Sequence, residues 1–488
     1  MSSPARGRRV AVAILRQDLR IHDNAVLLAA HQAGTHLLPI YVYDERHIEL
    51  SGLPSFVRRG PEARTRICKF WRTSVFRARF LTEGVYDLQD RLRQRGSDLL
   101  VRFGRLEEVV GEVVDCLNAG GDHVQGVWLQ KDFCAEEVAI ENKLAKTLNK
   151  NGIKLHQPDV QTLSTSRPSQ SCPHFASATL ELIGLFDPPV DVQDLPFSVD
   201  QTPDVFTPFR KKVEALGRLG RLPLTMPDLL NPFPPPPPPL KAYPAYGAQF
   251  DHSGPAEVLP GLLAPLKHSY SSKYADPSVA RDPRSAFPLA GGETAALDRL
   301  DWYIRQGSPP PAHNYKETRN GLVGHAYSTK LSPFLCLGMV SPREIISALE
   351  EHEAKFGATQ STYWVRFEIL WRDYFLFISR KYGTRLFKLD GFEGKTDPKQ
   401  AKIKIQPGWW KGYNEDGSID DHTIAWFEGK TGVPFIDANQ AELRDSGFMS
   451  NRGRQNVASF LTKDLQVDWR IGAEFFEAHL IDYETGKL

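Results

Sequence analysis

The chain has 488 residues, too many for one ordinary core, so two or three domains are expected. An apolar fraction of 41%, a charged fraction of 24% and a net charge of +1 suit a globular protein and exclude an overall polycation. Any contact with nucleic acid must then come from a local patch.

No stretch reaches the roughly 18 consecutive apolar residues of a membrane helix, so a soluble protein is expected. The five cysteines, Cys68, Cys116, Cys134, Cys172 and Cys336, form no C-x-x-C pair. They point to a reducing compartment and to no metal site. The basic start runs straight into a short apolar segment and does not read as a secretion signal. The expected location is intracellular: nucleus, cytoplasm or an organelle matrix.

Along the chain, apolar runs at 10–15, 36–42, 98–103 and 126–129 read as buried strands. Helical patterns at 24–32, 80–95 and 106–117 lie between them, which predicts a parallel sheet with right-handed crossovers. No G-x-G-x-x-G follows the first strand, so a dehydrogenase-type dinucleotide site is not supported. From 164 to 288 Ser, Pro and Asp rise, and Pro234–Pro239 is an unbroken proline run. This region reads as a long connector with an extended spacer. After 289 the pattern is helical almost to the end, at 293–306, 342–355, 363–381 and 472–481. Ser341-Pro342 reads as an N-cap with proline at the first helical position. The expected domains are 8–163 (α/β, parallel sheet, Rossmann-like), 164–288 (Pro-rich connector) and 289–488 (all-α).

Three clusters carry chemistry. Ser328, Thr329, Lys330, Leu331 and Ser332, with Tyr315 upstream, gather hydroxyls, backbone N–H groups and one cation before a helical stretch, a composition suited to a pyrophosphate. Glu368, Trp371 and Arg372 stand at i, i+3 and i+4, so one helix face offers a carboxylate, a large aromatic ring and a guanidinium. Asn451, Arg454 and Gln455 repeat that spacing, with Arg452 turned elsewhere. In isolation a polar capping loop, a helix with one buried Trp and a solvated charged face are the better explanations of these clusters. A basic stretch at 58–79 is likewise open between a nucleic-acid patch and a solvated helix face.

Taken together and in order, the segments resemble the photolyase/cryptochrome family. Leu15-Arg-Gln-Asp-Leu-Arg-Ile-His-Asp-Asn24 is similar to its first strand and turn, and 315–337, 367–374, 426–439 and 448–482 are similar to its flavin-domain motifs. Phe76-Arg-Ala-Arg-Phe-Leu81, residues 205–214 and the Tyr315 segment resemble the DASH branch. The resemblance implies FAD in the helical domain, with Tyr315 and Ser328–Ser332 on its phosphates, Arg372 fixing it, and an Arg454–Asp482 ion pair beside its ring. It implies that Glu368, Trp371 and Asn451 meet a flipped pyrimidine dimer, that Arg452 and Gln455 contact DNA, and that Trp469 with Trp409 or Trp410 relays electrons. The implied activity is blue-light repair of cyclobutane pyrimidine dimers, preferentially in single-stranded DNA, by a monomer. The alternatives are a photoreceptor without repair and a low-activity short form. A methenyltetrahydrofolate antenna, with contacts near Gln130 and Asp132, is also implied. The family continues past Asp482 into an Asn- and Trp-rich segment. Here Glu484 keeps a carboxylate, and the chain ends at Leu488 with Gly486-Lys487, which a translated splice donor would encode. A truncated flavin domain with slow photoreduction is therefore expected.

Overall fold

The computed structural model describes residues 7–53, 60–157, 194–217, 221–235, 254–389, 411–414 and 416–484. The first of these form β1 (Arg9–Leu15), α1 (Ala25–Ala33), β2 (His36–Asp44), α2 (Val75–Gln94), β3 (Leu100–Gly104), α3 (Leu106–Ala119), β4 (His123–Leu129), α4 (Ala135–Lys150) and β5 (Leu155–His156). All strand pairs are parallel, in the order β3-β2-β1-β4-β5. The central strands read as continuous apolar runs because both faces are covered. On β1, Val10, Val12 and Ile14 pack with α3 and α4, whereas Ala11, Ala13 and Leu15 join a core shared with α2 and the C-terminal half.

That second half is helical, as its periodicity predicts. It contains α7 (Glu293–Leu300), α8 (Tyr315–Thr318), α9 (Ser332–Cys336), α10 (Pro342–Phe356) and α11 (Gln360–Tyr382). Then follow α12 (Asp421–Glu428), α13 (Pro434–Ser446), α14 (Asn451–Ser459) and α15 (Trp469–His479). The Ser341 hydroxyl caps α10 by accepting from the Glu344 N–H at 3.0 Å, and Pro342 opens it. The longest helix, α11, starts from a reciprocal capping box between Thr359 and Thr362. Among the described residues, no helix is long and apolar enough to cross a membrane.

The stretch read as a connector is more structured than its composition suggests. It contributes α5 (Phe206–Glu214) and α6 (Pro255–Leu263), and α5 packs Phe206, Phe209 and Val213 against α11. Most of the proline run lies outside the described residues, as do Cys172, Trp409 and Trp410. In the basic stretch, of which Arg58 and Arg59 lie outside the described residues, Arg72 meets Glu477 and Glu136 at 2.8 Å each, and Arg64 meets Glu62 at 2.7 Å and lies 3.5 Å over the Trp71 ring. That favours the structural reading of its charges.

The two halves are joined by buried polar contacts as well as by the shared core. Asp23 pairs with Arg343 at 2.8 Å, their side chains 1% and 3% exposed. Glu293 accepts from the backbone N–H groups of Ile21 and His22, both at 2.8 Å. At Gly338, φ is +66° and a Cβ would lie 1.9 Å from the Gln17 carbonyl oxygen, so only glycine fits this seam.

His479, at the end of α15, is buried against Phe475, Tyr270 and Phe70 and donates from Nδ1 to the Phe475 carbonyl at 2.6 Å. Burial lowers its pKa to about 4, so it folds neutral while the unfolded chain protonates near 6.5. Its stabilising share is intact above 6.5 and is lost as pH falls through about 4, a change of about 3 kcal/mol. Thermal melts should therefore fall over this window, with a shallower slope in His479→Gln. Equal slopes would show that His479 is not a titrating element.

Candidate functional site

One cavity of about 590 Å³ opens among α8, α9, α11, α14 and α15. Its wall brings together Tyr315, Thr329, Leu331, Ser332, Glu368, Arg372, Asn451, Arg454, Gln455, Trp469, Asp482 and Glu484, all residues singled out from the sequence. Ile345, Val365, Ile369, Phe375, Leu461 and Phe476 supply an apolar lining.

The Ser450 hydroxyl caps α14 by accepting from the Gly453 N–H at 3.0 Å, which sets the phase of the helix. Asn451, Arg454 and Gln455 then share the cavity face. Arg452 points away, donating to Gln455 and to Asn320 on an exposed loop. Arg454 donates from Nη2 to both Asp482 oxygens at 2.8 Å and from Nε to the Met449 carbonyl at 2.8 Å. The Ser332 hydroxyl donates to Asp482 at 2.7 Å, so that carboxylate, with a side chain 1% exposed, is held from two elements. Arg372 and Glu484, with side chains 9% and 4% exposed, face each other at 3.7 Å.

On α11 the expected partners separate. Glu368 faces the cavity and contacts the Arg319 guanidinium at 2.5 Å. Burial pushes its carboxyl above the usual range, and Arg319 opposes that shift. Trp371 does not line the cavity; its ring stacks on Phe206, with centroids 3.6 Å apart and planes 12° from parallel. Arg319 was not singled out from the sequence. Its place one helical turn beyond Tyr315 was the available signal, since Tyr315 lines the same cavity.

Ser328 and Lys330 also lie off the cavity wall. Lys330 adopts φ +59°, and its amine rests 3.4 Å from the Tyr327 ring centroid and 4.5 Å from that of Phe448. Burial without a hydrogen-bond partner lowers its pKa to about 7. Trp469 lines the cavity and donates from Nε1 to the Leu389 carbonyl at 3.1 Å. Gln130 and Asp132 line a second cavity of about 170 Å³, below the usual range for cofactor pockets. There burial, with the Asp132 carboxylate nearby, pushes the Glu137 carboxyl above its usual range.

Comparison with known proteins gives the same architecture a family. Residues 11–169 match the model described as DNA photolyase, and 364–487 match that of the FAD binding domain of DNA photolyase. A Cryptochrome DASH of Xenopus laevis is 40% identical over 478 residues, covering 98% of this chain and 74% of its own length. One from Gloeobacter violaceus is 37% identical, covering 97% of this chain and 76% of its own. The solved structure of a Synechocystis cryptochrome matches with a TM-score of 0.72 at 32% identity, over 99% of this chain and 80% of that one. The chain belongs to the DNA photolyase/cryptochrome family, with that family's FAD-binding domain in its helical half. Within the family it is of the DASH type.

Arg454→Ala should leave the Asp482 carboxylate buried without its cation and cost about 3–5 kcal/mol. Adding Asp482→Asn should recover part of that loss, because the uncompensated charge goes with it. Equal melting temperatures for wild type and Arg454→Ala would show that the pair is not stabilising.

Proposed function

We propose that the chain is a blue-light flavoprotein that repairs cyclobutane pyrimidine dimers, preferentially in single-stranded DNA. The observation that carries this reading is the convergence of Glu368 and Asn451 on the cavity bounded by Arg372, Arg454 and Asp482. The residues fit a flavin nucleotide. The volume is in the range for cofactor pockets, the lining is mostly apolar, and hydroxyls and guanidinium groups stand at separate points of the wall. Tyr315, Thr329, Leu331 and Ser332 would bind the phosphate side. Arg372 and the Arg454–Asp482 pair would lie by the ring, and Glu484 near Arg372. Bound FAD, reduced and excited by blue light, supplies the electron that splits the dimer and takes it back.

The chain's own part is binding, orientation and one proton. Glu368, half-buried and raised in pKa, would hold a proton towards the dimer, while Arg319 fixes the carboxyl in place. Asn451, a neutral donor and acceptor, suits the edge of a base. Gln455 on the cavity wall and Arg452 outside it would contact the strand. Trp469 would connect the cavity to Trp409 or Trp410 for electron supply. Single-stranded substrate is favoured because taking a base out of a duplex costs a few kcal/mol.

The test is repair of a dimer-containing oligonucleotide by purified protein, in blue light and in darkness, with single- and double-stranded substrates. Light-dependent repair that is faster on the single strand is expected. No repair, together with light-dependent capture of a protein partner, would replace this reading with a photoreceptor. Glu368→Ala should keep its flavin absorbance and lose repair about 100-fold. Wild-type repair should also decline as pH rises through the elevated Glu368 pKa, because the proton-bearing form is lost. Glu368→Gln, which keeps a donor at every pH, should show a flat profile. Identical profiles would remove Glu368 from the proton-donor role.

A further inference from the structure

The Trp371 indole is fixed from outside its own helix. Phe206, the first residue of α5, lies parallel to it at 3.6 Å and is itself only 5% exposed. The same ring meets Phe367 edge-on at 5.2 Å and Tyr374 at 5.6 Å, so it fills the gap between successive turns of α11. The segment carrying Phe206 is tied along α11 by polar bonds at both ends. The Tyr363 hydroxyl donates to Glu214 at 2.8 Å, and Arg210 donates to that hydroxyl at 2.5 Å. The Tyr374 hydroxyl donates to the Asp204 carbonyl at 2.7 Å, while Lys381 and Tyr382 reach the Asp204 carboxylate at 2.6 Å. Glu368 and Arg372 lie on the cavity side of the same helix.

We propose that Phe206 is a positioning residue for substrate, holding the Trp371 indole as a fixed stacking platform beside the cavity. An aromatic ring that carries a base gains affinity from being held still, since freezing a mobile side chain on binding costs free energy. Phe206 lies against the indole at 3.6 Å and Phe375 stacks on it at 5.4 Å, so substrate meets the part of this half-buried ring that the two leave exposed. In this arrangement the connector belongs to the substrate site as well as linking the two halves. The inference rests on the dimer-binding reading of the site given above.

The experiment measures binding in darkness of full-length protein to a single-stranded oligonucleotide with and without a thymine dimer. The ratio of the two affinities is the readout, because a partly unfolded sample lowers both values alike. Trp371→Ala should reduce the ratio on the order of ten-fold, and Phe206→Leu should reduce it similarly with flavin content unchanged. The double variant should bind no worse than Trp371→Ala alone, and Phe206→Tyr, which keeps the ring, should restore the wild-type ratio. If Phe206→Leu does not fold, Phe206→Met replaces it in the same comparison. A wild-type ratio in a Phe206 variant that lacks the ring, alongside a reduced ratio in Trp371→Ala, overturns the positioning role and leaves the site reading intact. Absence of any dimer preference in the wild-type protein overturns both.

Discussion

The Asp482 carboxylate is the point on which the helical half depends. A charge with a side chain only 1% exposed is tolerated in a protein interior only when it is paired and hydrogen-bonded. Arg454 supplies the charge and Ser332 the further hydrogen bond. Those three residues come from the chain beyond α15, from α14 and from the start of α9, so satisfying one carboxylate sets the distances between three walls of the cavity. Arg454 is held in turn by its Nε bond to the Met449 carbonyl, and the Gly447 carbonyl accepts from the Ile481 N–H at 2.9 Å. The ion pair therefore sits within a backbone framework that already brings the last segment alongside α13 and α14.

The second constraint is that α11 is gripped on two sides. Glu368, Arg372 and Phe375 fall close together in helical phase and face the cavity, while Phe367, Trp371 and Tyr374 lie under α5. With 3.6 residues per turn, Glu368 and Trp371 differ by about 60° around the axis. That is enough to put one on each side once a second element covers the flank.

This explains where the sequence was legible and where it was not. The strands could be read because a sheet covered on both faces needs unbroken apolar runs. The phase of α14 could be read because Ser450 caps it and its spacing is regular. On α11 the i, i+3, i+4 pattern implied one shared face, and it could not reveal that Phe206 would claim Trp371. That requires knowing that α5 returns to α11, a long-range contact with no local signature. The 3–4 spacing of Phe206, Phe209 and Val213 was present, but it was embedded in Pro- and Ser-rich composition. Lys330 lies off the cavity wall for another reason. A positive φ at lysine is uncommon, and it turns the side chain into the Tyr327 and Phe448 rings rather than towards the cavity that its neighbours line.

The segment 482–484 links the α/β domain to the helical half. Tyr483 and Glu484 line both the large cavity and the smaller one beside the sheet, so the two spaces share these residues as part of their walls. That wall is fastened from both halves: Arg77 on α2 donates to the Tyr483 carbonyl at 2.9 Å, and the Cys336 thiol on α9 donates to the same oxygen at 2.9 Å. Glu484 then presents its carboxylate to Arg372 from this anchored backbone. A shift of α2 relative to the helical half would pull on the Tyr483 carbonyl and, one residue on either side, on the partners of Arg454 and Arg372. The geometry of the flavin-domain cavity is thus tied to the seating of the α/β domain, and the buried Asp23–Arg343 pair and the Gly338 seam serve the cavity as much as they serve stability.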